Sequence, residues 1–192
     1  MTGEVVCCLR TFTMTGEPPP HERLARQLVE GRVGHVRRDD ILIAQGNLAI
    51  TYRRLGRFEE ALSMRQEVYS GRLKLDGEEH LSTLIAANNY AQSFHGLQRF
   101  EEAKELLLKM VPVARRVLGE SHDLALMMRW NYARALYKDD RATHGDLREA
   151  VTTLEETGRT ARRVLGGAHP TTGGIEGNLQ DARAALYARG LP

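Results

Sequence analysis

The sequence has little cysteine, few aromatic residues and no long apolar run. Its 192 residues include 2 cysteines, Cys7 and Cys8, which are adjacent and therefore cannot link distant parts of a fold. This excludes a small domain stapled by disulfides and makes a reducing, cytoplasmic compartment the expectation. No stretch approaches the roughly 20 consecutive apolar residues that cross a bilayer, so no membrane partner is expected.

An excess of charge of one sign is also missing. The chain holds 27 basic and 25 acidic residues, a net charge of +2, and this balance does not favour nucleic acid as a partner. Hydrophobic residues make up 42% of the chain, which is ordinary for a globular domain. We therefore expect a folded domain with a real core.

The sequence carries no pattern typical of catalysis or of cofactor binding. The carboxylate pairs Asp39-Asp40 and Asp139-Asp140 fall at predicted helix edges or loops. The glycine-rich stretch 173–177 lacks the lysine and the preceding strand of a phosphate-binding loop. We expect neither an enzyme nor a bound cofactor.

Three histidines recur and raise the question of a metal site: His80, His122 and His169. Each belongs to a different turn, and stacked helices lie about 8–10 Å apart, whereas Zn–N bonds measure about 2.0–2.1 Å. We therefore expect no metal. Local hydrogen bonding in the loops is the prediction, with Ser82, Asp123 or Thr171-Thr172 as the residues that cap the next helix.

A short phrase centred on Asn recurs at a nearly fixed interval. Asn47, Asn89 and Asn131 are 42 residues apart, and a weaker copy at Asn178 follows after 47. A period of this size indicates stacked repeats. In the first two copies, apolar residues at helical spacing are followed by a second helical stretch that opens with acidic residues, and the copy at Asn178 has a single helix.

The pattern predicts a pair of helices, A and B, in each repeat. Predicted helices A span 41–55, 84–97 and 124–138, and helices B span 58–75, 100–118 and 147–165, with a last helix over 172–188. Pro112 should kink or split the second helix B. The loop 139–146 takes up the five additional residues of the third repeat. Small residues at equivalent positions, Ala61, Ala103 and Ala150, predict close packing of paired helices.

The phrase Asn-Leu-Ala-x-x-Tyr-x-x-Leu-Gly-Arg-Phe-Glu-Glu-Ala at 47–61 resembles a tetratricopeptide repeat. The 42-residue period and the phrase Arg-Val-Leu-Gly-x-x-His, at 116–122 and 163–169, resemble the kinesin light chain variety. The resemblance covers roughly residues 40–185. It implies an all-α fold: a right-handed α-solenoid of helix pairs with a C-terminal capping helix.

The chain then divides as follows: a flexible arm at 1–20, and a repeat domain at 21–192 made of a degenerate helix (21–39), repeats at 40–80, 81–122 and 123–169, and the cap at 170–192. The resemblance implies no motor complex by itself, because light chains also have a heptad coiled coil and no heptad run occurs here.

Helices A line the concave side of such repeats, so the resemblance implies a protein or peptide ligand in that groove. The repeating Asn and the groove-facing stripe of each helix A supply the expected peptide-binding residues: Asn47, Ile50, Arg53, Arg54, Asn88, Asn89, Gln92, His95, Trp130, Asn131, Arg134 and Lys138. Amides can bond the ligand main chain. The alternative is that each Asn bonds a neighbouring repeat.

Four cations on this stripe have no acidic counterpart in the three full repeats: Arg53, Arg54, Arg134 and Lys138. Asp181 of the last helix is the one acid at an equivalent position. An acidic, extended peptide is therefore the expected ligand, and an ordinary solvated face is the alternative. Trp130 is expected to be an exposed ligand platform rather than a core residue.

The expected oligomeric state is a monomer. The alternative function is a structural one, in which the chain is a self-assembling piece of a larger complex. A homodimer would then form at the N-terminal end of the stack and bury Ile41, Leu42 and their neighbours.

Overall fold

The computed structural model describes residues 37–190, which form seven α-helices and no strand. The helices are α1 (Arg38–Arg54), α2 (Phe58–Asp76), α3 (Leu81–Gly96), α4 (Phe100–Leu118), α5 (Asp123–Lys138), α6 (His144–Leu165) and α7 (Pro170–Gly190). The expected all-α fold is confirmed. None of these helices is both long and apolar enough to cross a bilayer. The expected arm at 1–20, the cysteine pair and all but the last three residues of the degenerate helix expected at 21–39 lie outside the described residues, and Arg38 and Asp39 belong to α1.

Successive helices pack on one another, and the two kinds of helix differ in how they meet across repeats. Helices A are α1, α3, α5 and α7, and the main chains of α3 and α5, and of α5 and α7, lie close together. Between residues 37 and 190, no helix B packs main chain to main chain against another helix B. The stack therefore bends toward the helices A, which line its inner surface.

The first helix A departs from this arrangement. The main chain of α1 packs on α2 but not on α3. Its buried side chains form a small core of Leu48 and Tyr52 with Ala61 of α2. The main core is separate and runs from α3 to α7. We call the part of the inner surface between α1 and α3 the α1–α3 gap, because their main chains do not pack on each other and both pack on α2.

Small residues mark the close approaches between helices. Ala61, Ala103 and Ala150 are 2%, 0% and 0% exposed, which confirms the predicted close packing. Gly71 of α2 faces the side chain of Leu42, which is buried as a result. Leu42 is therefore not available for the end-to-end contact expected in a homodimer, because it already packs within its own repeat.

The three recurring histidines cap helices. Each precedes a helix, and its Nδ1 accepts a hydrogen bond from the main-chain N–H two residues later, at 3.1–3.2 Å: His80, His122 and His169. The predicted local hydrogen bonding is confirmed. The prediction that Ser82, Asp123 or Thr171-Thr172 provides the cap is wrong, because the imidazole before them takes that place.

Helix α4 is continuous through Pro112, so the expected split is wrong. A proline inside a helix leaves the carbonyl four residues earlier without its donor. That carbonyl belongs to Leu108, whose residue is 58% exposed, and Pro112 is exposed as well. Water can satisfy the carbonyl on this outer face, so the helix continues.

Helix α6 begins three residues earlier than predicted, and the loop before it is correspondingly shorter. A capping box explains the difference: the hydroxyl of Thr143 accepts from the Asp146 N–H at 3.1 Å, and the Asp146 carboxylate accepts from the Thr143 N–H at 2.9 Å. Lys104 of α4 donates to the same carboxylate at 2.8 Å and joins the two helices B.

Candidate functional site

A ladder of side-chain hydrogen bonds joins the helices A on the inner surface. The Asn131 Nδ2 of α5 donates to the Asn88 Oδ1 of α3 at 2.9 Å, and both residues are 4% exposed. One repeat further on, the Trp130 Nε1 of α5 donates to the Asn178 Oδ1 of α7, also at 2.9 Å. In these two interfaces the repeating Asn ties one repeat to its neighbour. Asn88 and Asn131 are therefore not available to a ligand, contrary to the expected site.

The ladder is missing at the α1–α3 gap. Gly46 occupies the position that Asn88 and Trp130 hold in the later repeats, and it has no side chain to meet Asn89. The side chains of Asn47 and Asn89 form no hydrogen bond with any described residue. Asn47 is exposed and Asn89 is half-buried. These two amides are the ones that remain free to bond a ligand.

Trp130 is not the exposed platform that the sequence suggested. Its residue is half-buried, and the six-membered ring lies against Gly174 of α7, where no side chain separates the two helices. With its indole N–H bonded to Asn178, the ring joins α5 to the last helix. Packing thus explains Gly174, whereas nothing lies within 4 Å of a Cβ position on Gly173 or Gly177.

His95 is buried on the inner side of α3, at 8% exposure, rather than exposed to a ligand. Neither ring nitrogen makes a hydrogen bond of ordinary geometry among the described residues, although an interaction with the Asn131 main chain partly opposes the pKa shift of the ring. Burial lowers the pKa of His95 to about 4, and the positive charge of nearby Arg134 contributes to the shift. The ring is therefore neutral at physiological pH.

The groove cations differ in whether they are paired. Lys138 lies 3.6 Å from Asp181 and so does not contribute an uncompensated charge. Arg53, Arg54 and Arg134 form no ion pair with the rest of residues 37–190. Arg53 and Arg54 are exposed and Arg134 is half-buried. The expected charge segregation therefore holds for three of the four cations.

Arg65 is a fourth unpaired cation of this surface, and it was not foreseen from the sequence. It lies on α2, a helix B, yet its guanidinium Nη1 would lie 4.0 Å from a Cβ atom on Gly46. Burial lowers the pKa of Arg65, and the charge of Arg53 adds to the effect. It has no hydrogen bond or ion pair with any described residue. The signal that could have revealed it is Gly46, which opens the space that Arg65 enters.

Apolar and amide side chains complete the surface of the gap. Ile43 of α1 and Ile85 of α3 are 55% and 44% exposed. Ile50 is half-buried, and Gln92 is exposed. The α1–α3 gap thus brings together free amides, unpaired guanidinium groups and exposed aliphatic side chains.

The repeats are those of a known family. The sequence profile of the tetratricopeptide repeat family matches residues 40–111. Two crystal structures of a kinesin light chain candidate from Podosopora anserina, with nearly identical tetratricopeptide-like repeats, superpose with TM-scores of 0.70 and 0.68 at 26% identity. Both superpositions cover 88% of this chain and 78% of the other.

A third similar structure shows the fold alone. BtubC (BKLC) from P. vanneervenii superposes with a TM-score of 0.56 at 17% identity, over 89% of this chain and 74% of the other. No curated protein sequence matches the chain significantly. The helix pairs, the 42-residue period and these similarities agree, and the chain folds as a tetratricopeptide repeat solenoid similar to that of the kinesin light chain candidate.

Proposed function

We propose that this chain is a protein-interaction module that binds an extended, acidic peptide along its inner surface, at the α1–α3 gap. The tetratricopeptide repeat fold is in general a fold for protein–protein interaction. The observation that carries the proposal is Arg65, a half-buried side chain beside Arg53 with no acidic partner among the described residues. The module acts by binding and not by catalysis.

The cost of burying Arg65 supports an acidic ligand. A charge removed from water is unfavourable unless it is paired and hydrogen-bonded. A ligand carboxylate beside Gly46 would supply that pairing to Arg65 and Arg53 together. Arg guanidinium groups suit carboxylates because they can donate two parallel hydrogen bonds.

The free amides support an extended ligand conformation. Asn47 and Asn89 each offer a donor and an acceptor, which can bond the main chain of a peptide whatever its sequence. Successive side chains of an extended segment point to opposite sides. An acidic residue toward Arg65 can therefore alternate with an apolar residue toward Ile43 or Ile85.

The proposed affinity is modest. A short peptide has a small interface and loses conformational entropy when it becomes ordered. The module is proposed to be a monomer, since Leu42 is occupied within its own repeat. Light scattering over a range of concentrations checks this point, and a stable dimer would contradict it.

The test is a titration with labelled decapeptides in which Glu alternates with Leu, followed by fluorescence anisotropy. A matched peptide has Gln in place of every Glu. We expect the Glu peptide to bind more tightly, and the preference to shrink as salt is added. The double variant Asn47→Ala with Asn89→Ala should weaken the binding of both peptides, because it removes contacts to the main chain.

Arg148→Gln is the control, since Arg148 is an exposed residue near the start of α6, away from the inner surface. It should bind as the wild type does. Equal binding of the Glu and Gln peptides at low salt would refute the acidic ligand. Unchanged binding to the double Asn variant would refute the α1–α3 gap as the site.

A further inference from the structure

A second polar cleft lies away from the inner surface, where α5 meets α6. It has a volume of about 520 Å³ and is lined by Glu120, Arg129, Glu156, Arg159, Thr160 and Arg163. Arg129 lies on the side of α5 opposite to the groove-facing stripe, by the 3.6-residue period of the helix. The cleft is therefore separate from the α1–α3 gap.

The acidic residues of the cleft are already engaged. Arg129, whose side chain is 7% exposed, donates from Nη2 to the Glu156 Oε2 at 2.9 Å. Glu120 is bonded by Arg115 from the end of α4. Arg159 and Arg163 have no ion pair or hydrogen bond within the described part of the chain. Two positive charges in the cleft are thus uncompensated.

Helix stability does not account for this arrangement. A cation in the last turn, such as Arg163, is favoured by the helix dipole. Arg159 lies one turn earlier, and two like charges four residues apart destabilise a helix. Burial lowers the pKa of Arg129 and the charge of Arg115 lowers it further, whereas Glu156 and Glu120 oppose the shift.

We propose that the cleft binds a phosphate group. The Arg129 guanidinium donates one N–H group to Glu156, and its other donors have no hydrogen-bond partner among the described residues. None of its nitrogens is both fully buried and without a partner. Those donors therefore face the cleft together with Arg159 and Arg163. A phosphate dianion matches the two uncompensated charges and accepts bidentate hydrogen bonds from guanidinium groups.

The test is calorimetric titration with inorganic phosphate, against sodium chloride at matched ionic strength. We expect binding of phosphate that chloride does not reproduce. Arg159→Gln with Arg163→Gln should weaken it at least about tenfold, the factor for a lost charge-assisted hydrogen bond. Glu156→Gln should strengthen it, because it removes a negative charge from the cleft and still offers an acceptor to Arg129.

The opposite signs of these two effects separate the proposal from a loss of folding, which would weaken binding in both variants. Arg148→Gln on the same helix is the control and should bind phosphate as the wild type does. O-phosphoserine shows whether the site also accepts a phosphate ester. The proposal would be overturned if phosphate bound no more tightly than chloride. It would also be overturned if the Arg159/Arg163 variant bound phosphate as tightly as the wild type. Because Arg53 and Arg65 are unchanged in the Arg159/Arg163 variant, any phosphate bound in the groove would persist there, and the loss of binding reports on the cleft.

Discussion

Asn131 and Asn88 share a buried hydrogen bond of 2.9 Å that joins α5 to α3. The same repeating Asn therefore has two different surroundings along the chain. Where the preceding repeat offers Asn88 or Trp130, it ties two repeats together. Where the preceding repeat offers Gly46, it stays untied and faces the α1–α3 gap.

The Asn88–Asn131 pair should show energetic coupling. Asn88→Ala and Asn131→Ala each leave a buried amide without its partner, which costs about 1–3 kcal/mol of unfolding free energy. The double variant should cost less than the sum of the two by about 1 kcal/mol. Urea denaturation of the four proteins measures this coupling. The pair Asn47→Ala and Asn89→Ala is the control and should be additive, and equal coupling in both pairs would contradict the ladder.

Gly174 should not tolerate a side chain. A Cβ atom there would lie 2.5 Å from the Trp130 Cη2 and 2.7 Å from Cζ2. Gly174→Ala should lower the unfolding free energy by about 1–2 kcal/mol, because forced repacking exceeds the gain in helix propensity. Gly173→Ala is the matched control, since nothing lies within 4 Å of its Cβ position. Thermal unfolding should show it stabilised by about 0.5–1 kcal/mol, and stabilisation of both variants would refute the contact.

Much of the fold follows from the sequence because the repeat period and the helical spacing are local signals. The close-packed Ala103 and the end of α4 at Leu118 could be placed on that basis. The position of a groove residue depends instead on the neighbouring repeat. Asn131 and Asn89 have equivalent positions in sequence, and only their partners, Asn88 and Gly46, decide which one is buried.

Arg65 shows a second limit of the sequence. Helical periodicity assigns the side chains of a single helix to its faces, and Arg65 belongs to a helix B. Its position on the inner surface depends on the missing side chain of Gly46 and on the separation of α1 from α3. Both are properties of how three helices pack, which periodicity along one helix does not contain.

Acidification should destabilise the fold through His95. Its folded-state pKa of about 4 lies below the ordinary value of 6.5, so the unfolded chain binds a proton first as the pH falls. Stability is therefore fully present above about pH 6.5 and declines toward pH 4. Between pH 7 and about 4.5, wild type should lose about 2 kcal/mol more than His95→Gln, measured by urea denaturation. Equal losses in the two proteins would show that the ring is not buried as described.

Arg65 should oppose stability while it supports binding. Arg65→Met removes a half-buried, unpaired charge and keeps a long apolar side chain, so it should raise the unfolding temperature of the unliganded protein. The same variant should bind the Glu–Leu decapeptide more weakly. Calorimetric unfolding and anisotropy together measure the two effects. A variant that loses stability, or one that binds equally well, would remove Arg65 from the proposed site.

Selection from a library of random decapeptides displayed on phage tests the central claim most directly, because it presupposes no ligand. The bait is the wild-type protein, and the double variant Arg53→Gln with Arg65→Met is selected in parallel. The peptides enriched on wild type should be rich in Asp and Glu alternating with aliphatic residues, and this enrichment should be absent from the double variant. Peptides without acidic bias, or the same acidic peptides on both baits, would contradict an acidic ligand in the α1–α3 gap.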